Sequence, residues 1–278
     1  MAIESDKKFK AVWVSHSSMS DFLRCPRLYY LSNIYRNPKT GNKISIVNPF
    51  LVLGIKVHSI LESLSLLPAS DRFNDSLVER FDRDWKNLGF LEEAFKDKYQ
   101  LEEFGKAGRD MIRMVEENPG PLKKLAVKIR DPLPQFWLSE EDNIILCGKI
   151  DWLEYSKEKK GVRLIDFKTG RNKERKDSLQ LPIYRLLVEN CQSHNVFGAS
   201  YWYLRSDREP EDINLPSSKE SKELVLNAAL KVKEARDHNQ FNCPYNGCRY
   251  CEPYERIIKG EGKLIGQGEH GNDLYVLK

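Results

Sequence analysis

The sequence has no apolar run approaching the roughly 20 residues that a bilayer-spanning helix requires. Its N-terminus, MAIESDKKFKAVWVSHSS, lacks the apolar core of a signal peptide. No internal repeat is visible, which argues against a solenoid or a propeller. The phosphate-cradling pattern G-x-x-x-x-G-K-[ST] is also absent, so the chain is not itself a helicase. Net charge is small: 45 Lys and Arg against 41 Asp and Glu give +4. Such a balance does not announce a nucleic-acid partner. It permits local basic patches, here Lys123–Lys124, Lys157–Lys160 and Arg171–Lys176. These absences lead to the expectation of an ordinary soluble protein, cytoplasmic and without a membrane partner. Its 278 residues, 40% hydrophobic and 31% charged, suffice for one large α/β domain or two small ones.

The hydrophobic period changes along the chain. Met19, Phe22, Leu23 and Leu31 recur at helical spacing and predict a first helix over 17–35, capped by Ser17 or Ser18. A second helix is predicted over 50–67, ended by Pro68. Residues 71–118 are charged and helix-rich and close on an NPGP turn. From 124 to 168, Val, Ile, Leu, Phe and Trp separated by short turns predict three or four strands. A helix over 178–190, a strand over 197–205 and a helix over 218–237 follow. The final segment, 259–278, is rich in Gly and charge and reads as a flexible tail. This order predicts an α/β fold: a mixed β-sheet flanked by helices. The expected domain spans 15–258, with 71–118 as a helical insertion.

The segment GKIDWLEYSKEKKGVRLIDFKTG, residues 148–170, sets two apolar strands around a polar loop. If Tyr155 pairs with Val162, then 153 pairs with 164 and 151 with 166. Asp151 and Asp166 would then face each other with Cβ atoms about 4.5–5.5 Å apart. Strand period two puts Lys168 on the same face and Ile150, Trp152, Ile165 and Phe167 on the other. Two carboxylates so close repel, and no arginine stands between them. A divalent cation such as Mg²⁺ or Mn²⁺ resolves the repulsion; a surface ion-pair cluster on an edge hairpin is the alternative.

Upstream, Gly54, His58 and Glu62 stand four residues apart and share one helical face. Downstream, Gln180 and Tyr184 share a face of the next helix, after the basic run Arg171, Lys173, Arg175 and Lys176. Of six cysteines, Cys147 and Cys191 sit in apolar patterns and read as small buried hydrophobes. Cys243, Cys248 and Cys251 form a C-x₄-C-x₂-C cluster, and Cys25 stands alone near the N-terminus.

Taken together, these motifs resemble the RecB-like branch of the PD-(D/E)XK nucleases, with its G-x-x-x-H-x-x-L-E, G-x-x-D, D-x-K-T-G and Q-x-x-x-Y segments. The resemblance covers roughly 15–258 and implies a restriction-endonuclease-like fold. It implies His58, Asp151, Asp166 and the Phe167 backbone carbonyl as ligands of Mg²⁺ or Mn²⁺, and Asp151, Asp166 and Lys168 as catalytic residues. By the same resemblance Gln180 and Tyr184 lie beside the site and contact DNA. Arg171, Lys173, Arg175 and Lys176 are placed to meet the phosphate backbone. SHSSMSDFLRCPRLYY is similar to the first helix of the iron–sulfur members, as in AddB/RecB nuclease domains and CRISPR-associated adaptation nucleases. That implies a [4Fe–4S] cluster on Cys25, Cys243, Cys248 and Cys251, with Zn²⁺ as the alternative. The order of the last three cysteines departs from the usual pattern: Cys243 stands upstream, and Ile257 occupies the usual place of the last ligand.

The resemblance implies a metal-dependent DNA exonuclease acting on single-stranded or frayed ends in repair or recombination, with a helicase as a possible partner. A CRISPR-associated nuclease trimming DNA before spacer integration, working with integration proteins, is one alternative. A non-catalytic iron–sulfur DNA-binding module is another.

Overall fold

A computed structural model describes residues 10–129, 131 and 133–277. β1 (Val12–Val14) leads into α1 (His16–Arg24). The cap of α1 is Ser15, earlier than either serine expected. Its hydroxyl accepts the Ser18 amide at 3.2 Å, and the Ser18 hydroxyl accepts the Ser15 amide at 2.9 Å. The single helix expected over 17–35 is broken into α1, α2 (Pro26–Tyr29) and a π turn at Tyr30–Ile34. Pro26 causes the break. It has no N–H and forces the residue before it out of the helical region, so Cys25 is extended at φ −166°, ψ 115°.

β2 (Ile44–Ile46) precedes α3 (Pro49–Ser63). The Asn48 side chain accepts the Leu51 amide at 3.0 Å, and Pro49 occupies the first turn, where its missing donor costs little. α3 and its following turn, Pro49–Leu66, are long and apolar enough by composition to cross a membrane, contrary to the sequence reading. Packing accounts for part of that composition: Val52, Leu53, Val57, Ile60 and Leu61 are in the core, while Phe50, Leu51, Ile55 and Leu66 are exposed. α4 (Leu77–Lys86) and α5 (Lys98–Glu117) lie within 71–118. They are not peripheral: Phe81, Met111, Ile112 and Val115 are buried.

β3 (Gln135–Ser139), β4 (Ile144–Cys147), β5 (Trp152–Ser156) and β6 (Gly161–Lys168) follow. Then come α6 (Gln180–Leu187), β7 (Val196–Tyr203), β8 (Glu211–Ile213), α7 (Ser218–Asp237), α8 (Glu252–Ile258), β9 (Gly262–Gln267) and β10 (Asp273–Leu277). Among the described residues the strands form three sheets rather than one: β5-β6-β7-β8, β1-β4-β3 and β2-β10-β9. All three mix parallel and antiparallel pairs, β6–β7 being parallel in the first.

The four-stranded sheet separates two cores. Val162, Leu164, Tyr201 and Tyr203 pack with Leu181, Ile183 and Leu187 of α6 and Val225, Ala229 and Val232 of α7. Trp152, Ile165, Phe167 and Trp202 pack with α3, α4 and α5. Each such aliphatic or aromatic side chain contributes about 1.5–3 kcal/mol by leaving water. Ile150 was expected on the second face but lies in the first core. It precedes the ladder, which starts at Trp152, so the alternation of the strand does not bind it.

The flexible tail expected at 259–278 is instead two paired strands. β10 runs parallel to β2, Asp273 opposite Ile44, and antiparallel to β9. Asp273 is fully buried and accepts from Asn37 Nδ2 at 2.8 Å, Thr40 Oγ1 at 2.5 Å and Asn42 Nδ2 at 3.0 Å. Ordered structure therefore runs from β1 to β10, beyond the expected 15–258.

Candidate active site

The hairpin β5–β6 has the register read from its sequence: Tyr155 opposite Val162, Leu153 opposite Leu164, Trp152 opposite Ile165. Asp151 is the residue before this ladder, and Asp166 is inside β6. Both carboxylates are buried, at 7% and 1% exposure. Asp151 Oδ2 accepts the Phe167 amide at 2.9 Å, which fixes one acid against the strand of the other.

α3 delivers His58 to the same end of the sheet. Its Nδ1 lies 3.4 Å from Asp151 Oδ2 and 3.3 Å from Glu62 Oε1, and its ring meets the Phe167 ring edge-on. Gly54, one turn upstream, faces Thr169 Oγ1. One ligand atom each from His58, Glu62 and Asp151 lie within 4.8 Å of one another. Glu62 is the member the sequence reading placed on the face of His58 without giving it a ligand role. Its other oxygen is 2.5 Å from Lys149 Nζ.

Asp166 holds a second group beside this trio. Lys168 Nζ is 2.8 Å from its Oδ2, and Gln180 Nε2 donates to its Oδ1 at 2.6 Å. Lys168 also donates to Gln180 Oε1, lies 3.4 Å from Glu174 and sits over the Tyr201 ring at 5.0 Å. Glu174, Tyr201 and His16 at the start of α1 were not singled out in the sequence, because no periodic spacing links them to the hairpin.

Titration reflects the crowding. Burial and the neighbouring Asp151 carboxylate push Asp166 up to about 7, against the pull of Lys168. Burial would raise Asp151 too, but the His58 ring and the Phe167 amide hold it below the ordinary carboxylate range. Burial would lower His58, yet Asp151 and Glu62 raise it to about 10. Burial and the charge of Lys168 lower His16 to about 4. Burial, then Asp151 and Asp166, drive the Tyr184 phenol well above its usual value. An imidazole beside three carboxylates is a donor set for a hard or borderline divalent cation. The buried Asp166 Oδ2 is engaged by Lys168 at 2.8 Å, so the donors that stand together are His58, Glu62 and Asp151.

The family model described as the PD-(D/E)XK nuclease superfamily matches residues 13–256. The chain belongs to the PD-(D/E)XK nuclease superfamily. A solved structure from Eubacterium rectale, described as a candidate exonuclease, is similar at 14% identity and a TM-score of 0.49, covering 91% of this chain and 93% of that one. No curated protein matches the chain. The mixed sheets flanked by helices agree with the restriction-endonuclease-like fold of the superfamily.

Within this PD-(D/E)XK chain, Gln180 and Tyr184 stand one turn apart on α6, beside Asp166 of the hairpin. Both are buried, and the three polar contacts of Gln180 go to Lys168, Asp166 and the Tyr184 hydroxyl, the last at 3.1 Å. Buried polar groups must be satisfied internally, so the pair orients the hairpin side chains from behind. Arg171, Lys173, Arg175 and Lys176 are exposed on the loop leaving β6. Lys173 pairs with Glu211 at 2.6 Å and Arg175 with Asp177 at 2.7 Å.

Away from the hairpin, the four cysteines named from the sequence converge. One sulfur each from Cys25, Cys243, Cys248 and Cys251 lie within 4.8 Å of one another, with Cys248 and Cys251 3.7 Å apart. Burial pushes the Cys25 thiol up to about 12. Burial would raise Cys248 as well, but backbone N–H groups of Cys251 and Tyr250 bring it to about 7. Four sulfurs so close suit a cation that deprotonates them. The break at Pro26 makes this possible by turning Cys25 out of its helix. Cys147 and Cys191 are only partly buried, each lending its S–H to a backbone carbonyl.

Proposed function

We propose that the chain hydrolyses DNA phosphodiester bonds as an exonuclease on single-stranded or frayed ends, in the cytoplasm, in repair or recombination. The observation that carries this reading is the meeting of His58, Glu62 and Asp151, with the Asp166–Lys168 pair beside them, in a nuclease-superfamily fold. His58, Asp151, Asp166 and the Phe167 carbonyl, joined by Glu62, would hold one or two Mg²⁺ or Mn²⁺ ions. When bound, the ion supplies Lewis acidity at the scissile phosphate. Lys168, aimed by Asp166 and Gln180, orients the attacking water and offsets charge growing on the phosphate oxygens. The exposed cations of 171–176 meet the backbone of the strand.

The four thiolates bind a metal that is structural. The resemblance around Cys25 supports a [4Fe–4S] cluster. The 3.7 Å sulfur separation supports Zn²⁺ instead, because thiolates about 2.3 Å from one tetrahedral ion stand about 3.8 Å apart. Absorbance near 400 nm in anaerobically purified protein, lost in Cys25→Ser, selects the cluster.

End-labelled oligonucleotides incubated with Mn²⁺ test the activity. Shortening from an end, stopped by EDTA and reduced on the order of 10²–10³-fold in Lys168→Ala and Asp166→Asn, is expected. Undiminished cleavage by both variants overturns the site.

A further inference from the structure

Beside the active site, β7, β8, α6 and α7 enclose a cavity of about 580 Å³. Tyr201 and Tyr203, ring centroids 6.0 Å apart, line it together with Leu181, Pro182, Leu215 and Leu224. Two neutral hydrogen-bonding side chains, Ser178 and Asn214, share the lining. Lys173, Arg175 and Lys176 border it from the loop that leaves β6, together with the carboxylates of Asp177 and Glu211.

Three contacts place the cavity next to the active site. Glu174 lines the cavity and lies 3.4 Å from Lys168. Tyr201 lines it and carries Lys168 Nζ over its ring. The Tyr203 hydroxyl accepts the Glu174 amide at 3.0 Å and so fixes the loop between the two. The volume falls in the range of small-ligand pockets, apolar with a few polar groups. Lys173 and Arg175 are engaged with Glu211 and Asp177 in exposed ion pairs, which are weak and yield readily to a phosphate. An apolar, aromatic chamber with hydrogen-bonding groups, bordered by cations in exchangeable surface ion pairs, suits a nucleobase attached to its backbone.

We propose that this cavity receives one unstacked base of the strand whose phosphate reaches Lys168. The inference rests on the reading that the site acts on DNA, and it narrows the substrate: a base held in a duplex stack cannot enter. The strand must therefore be single-stranded or opened at that nucleotide.

Fluorescence anisotropy of end-labelled single-stranded oligonucleotides, in calcium buffer without Mg²⁺ or Mn²⁺, tests the proposal. An abasic site is moved along the strand one position at a time. One position is expected to weaken binding on the order of tenfold. Leu224→Glu places a carboxylate at the cavity on a residue 47% exposed. It should weaken binding of the intact strand and erase the abasic effect. Leu264→Glu, equally exposed on β9 and outside the lining, should do neither. A flat abasic scan, or Leu224→Glu binding like the wild type, overturns the inference. If the flat scan accompanies Mn²⁺-dependent cleavage, the nuclease reading stands and only the base pocket falls. If the protein neither binds nor cuts DNA, both fall.

Discussion

At the scale of single residues, the active site is defined by who neutralises whom. Asp151 is held by the His58 ring and the Phe167 amide, while Asp166 is held by Lys168 and Gln180. Glu62 reaches the first group and not the second. That predicts separable phenotypes. Glu62→Gln keeps the size of the side chain but removes a negative oxygen, so Mn²⁺ affinity measured by calorimetry should fall about 10–100-fold. Gln180→Leu should leave Mn²⁺ affinity closer to wild type while lowering turnover, because it releases Lys168 and Asp166 rather than the trio. Equal Mn²⁺ affinity in Glu62→Gln and wild type would remove Glu62 from the ligand set.

Secondary-structure elements show the same dependence on close contact. α4 and α5 pack where α5 carries Gly105 and Gly108. A Cβ at Gly105 would stand 2.6 Å from Trp85 Nε1, and one at Gly108 would overlap the Phe81 ring and Leu53. Alanine there would improve helix propensity by about 1 kcal/mol. The overlap with a buried ring dominates, so Gly108→Ala should destabilise by about 1–3 kcal/mol in urea unfolding. The β2–β10 pair depends on Asp273. Burial opposes its ionisation, but hydrogen bonds from Thr40, Asn42 and Asn37 hold its carboxyl below the ordinary range. Its folded form gives up the proton more readily than the unfolded form. The stabilisation is therefore complete above the ordinary carboxylate value and fades as pH falls through it. Asp273→Ala should cost about 2–4 kcal/mol at neutral pH, by taking the acceptor from three donors, and should flatten the acid limb of the stability profile.

Across the whole molecule, the cysteine site joins residues far apart in the chain. Cys25 follows α1, and Cys243, Cys248 and Cys251 precede or begin α8. The Arg27–Glu255 ion pair at 3.0 Å spans the same junction. A metal that binds only the folded arrangement adds its binding free energy to folding. Stripping it, or replacing Cys25 by Ser, should lower Tm by about 5–10 °C for a loss of about 3 kcal/mol. Thermal scans of metal-loaded and stripped protein check this. An unchanged Tm would mean that the sulfurs hold no structural metal.

The sequence by itself determined whatever depends on neighbours a few residues away. Period two and a short loop set the β5–β6 register, and thereby placed Asp166 and Lys168 on one face. Spacing of four put His58 and Glu62 together on α3; the break at Pro26 is equally local, though helical periodicity over 17–35 hid it. Tertiary structure decided what depends on distant partners. Glu62 joins the trio because α3 lies against the start of β5. Gln180 turns inward because two charged side chains need its amide. The segment read as a flexible tail is ordered because β2, more than 200 residues earlier, offers it a ladder and a cradle for Asp273. Backbone hydrogen bonds and burial supplied by remote segments leave no local period in the sequence. Hence the hairpin was legible and the closing strands were not.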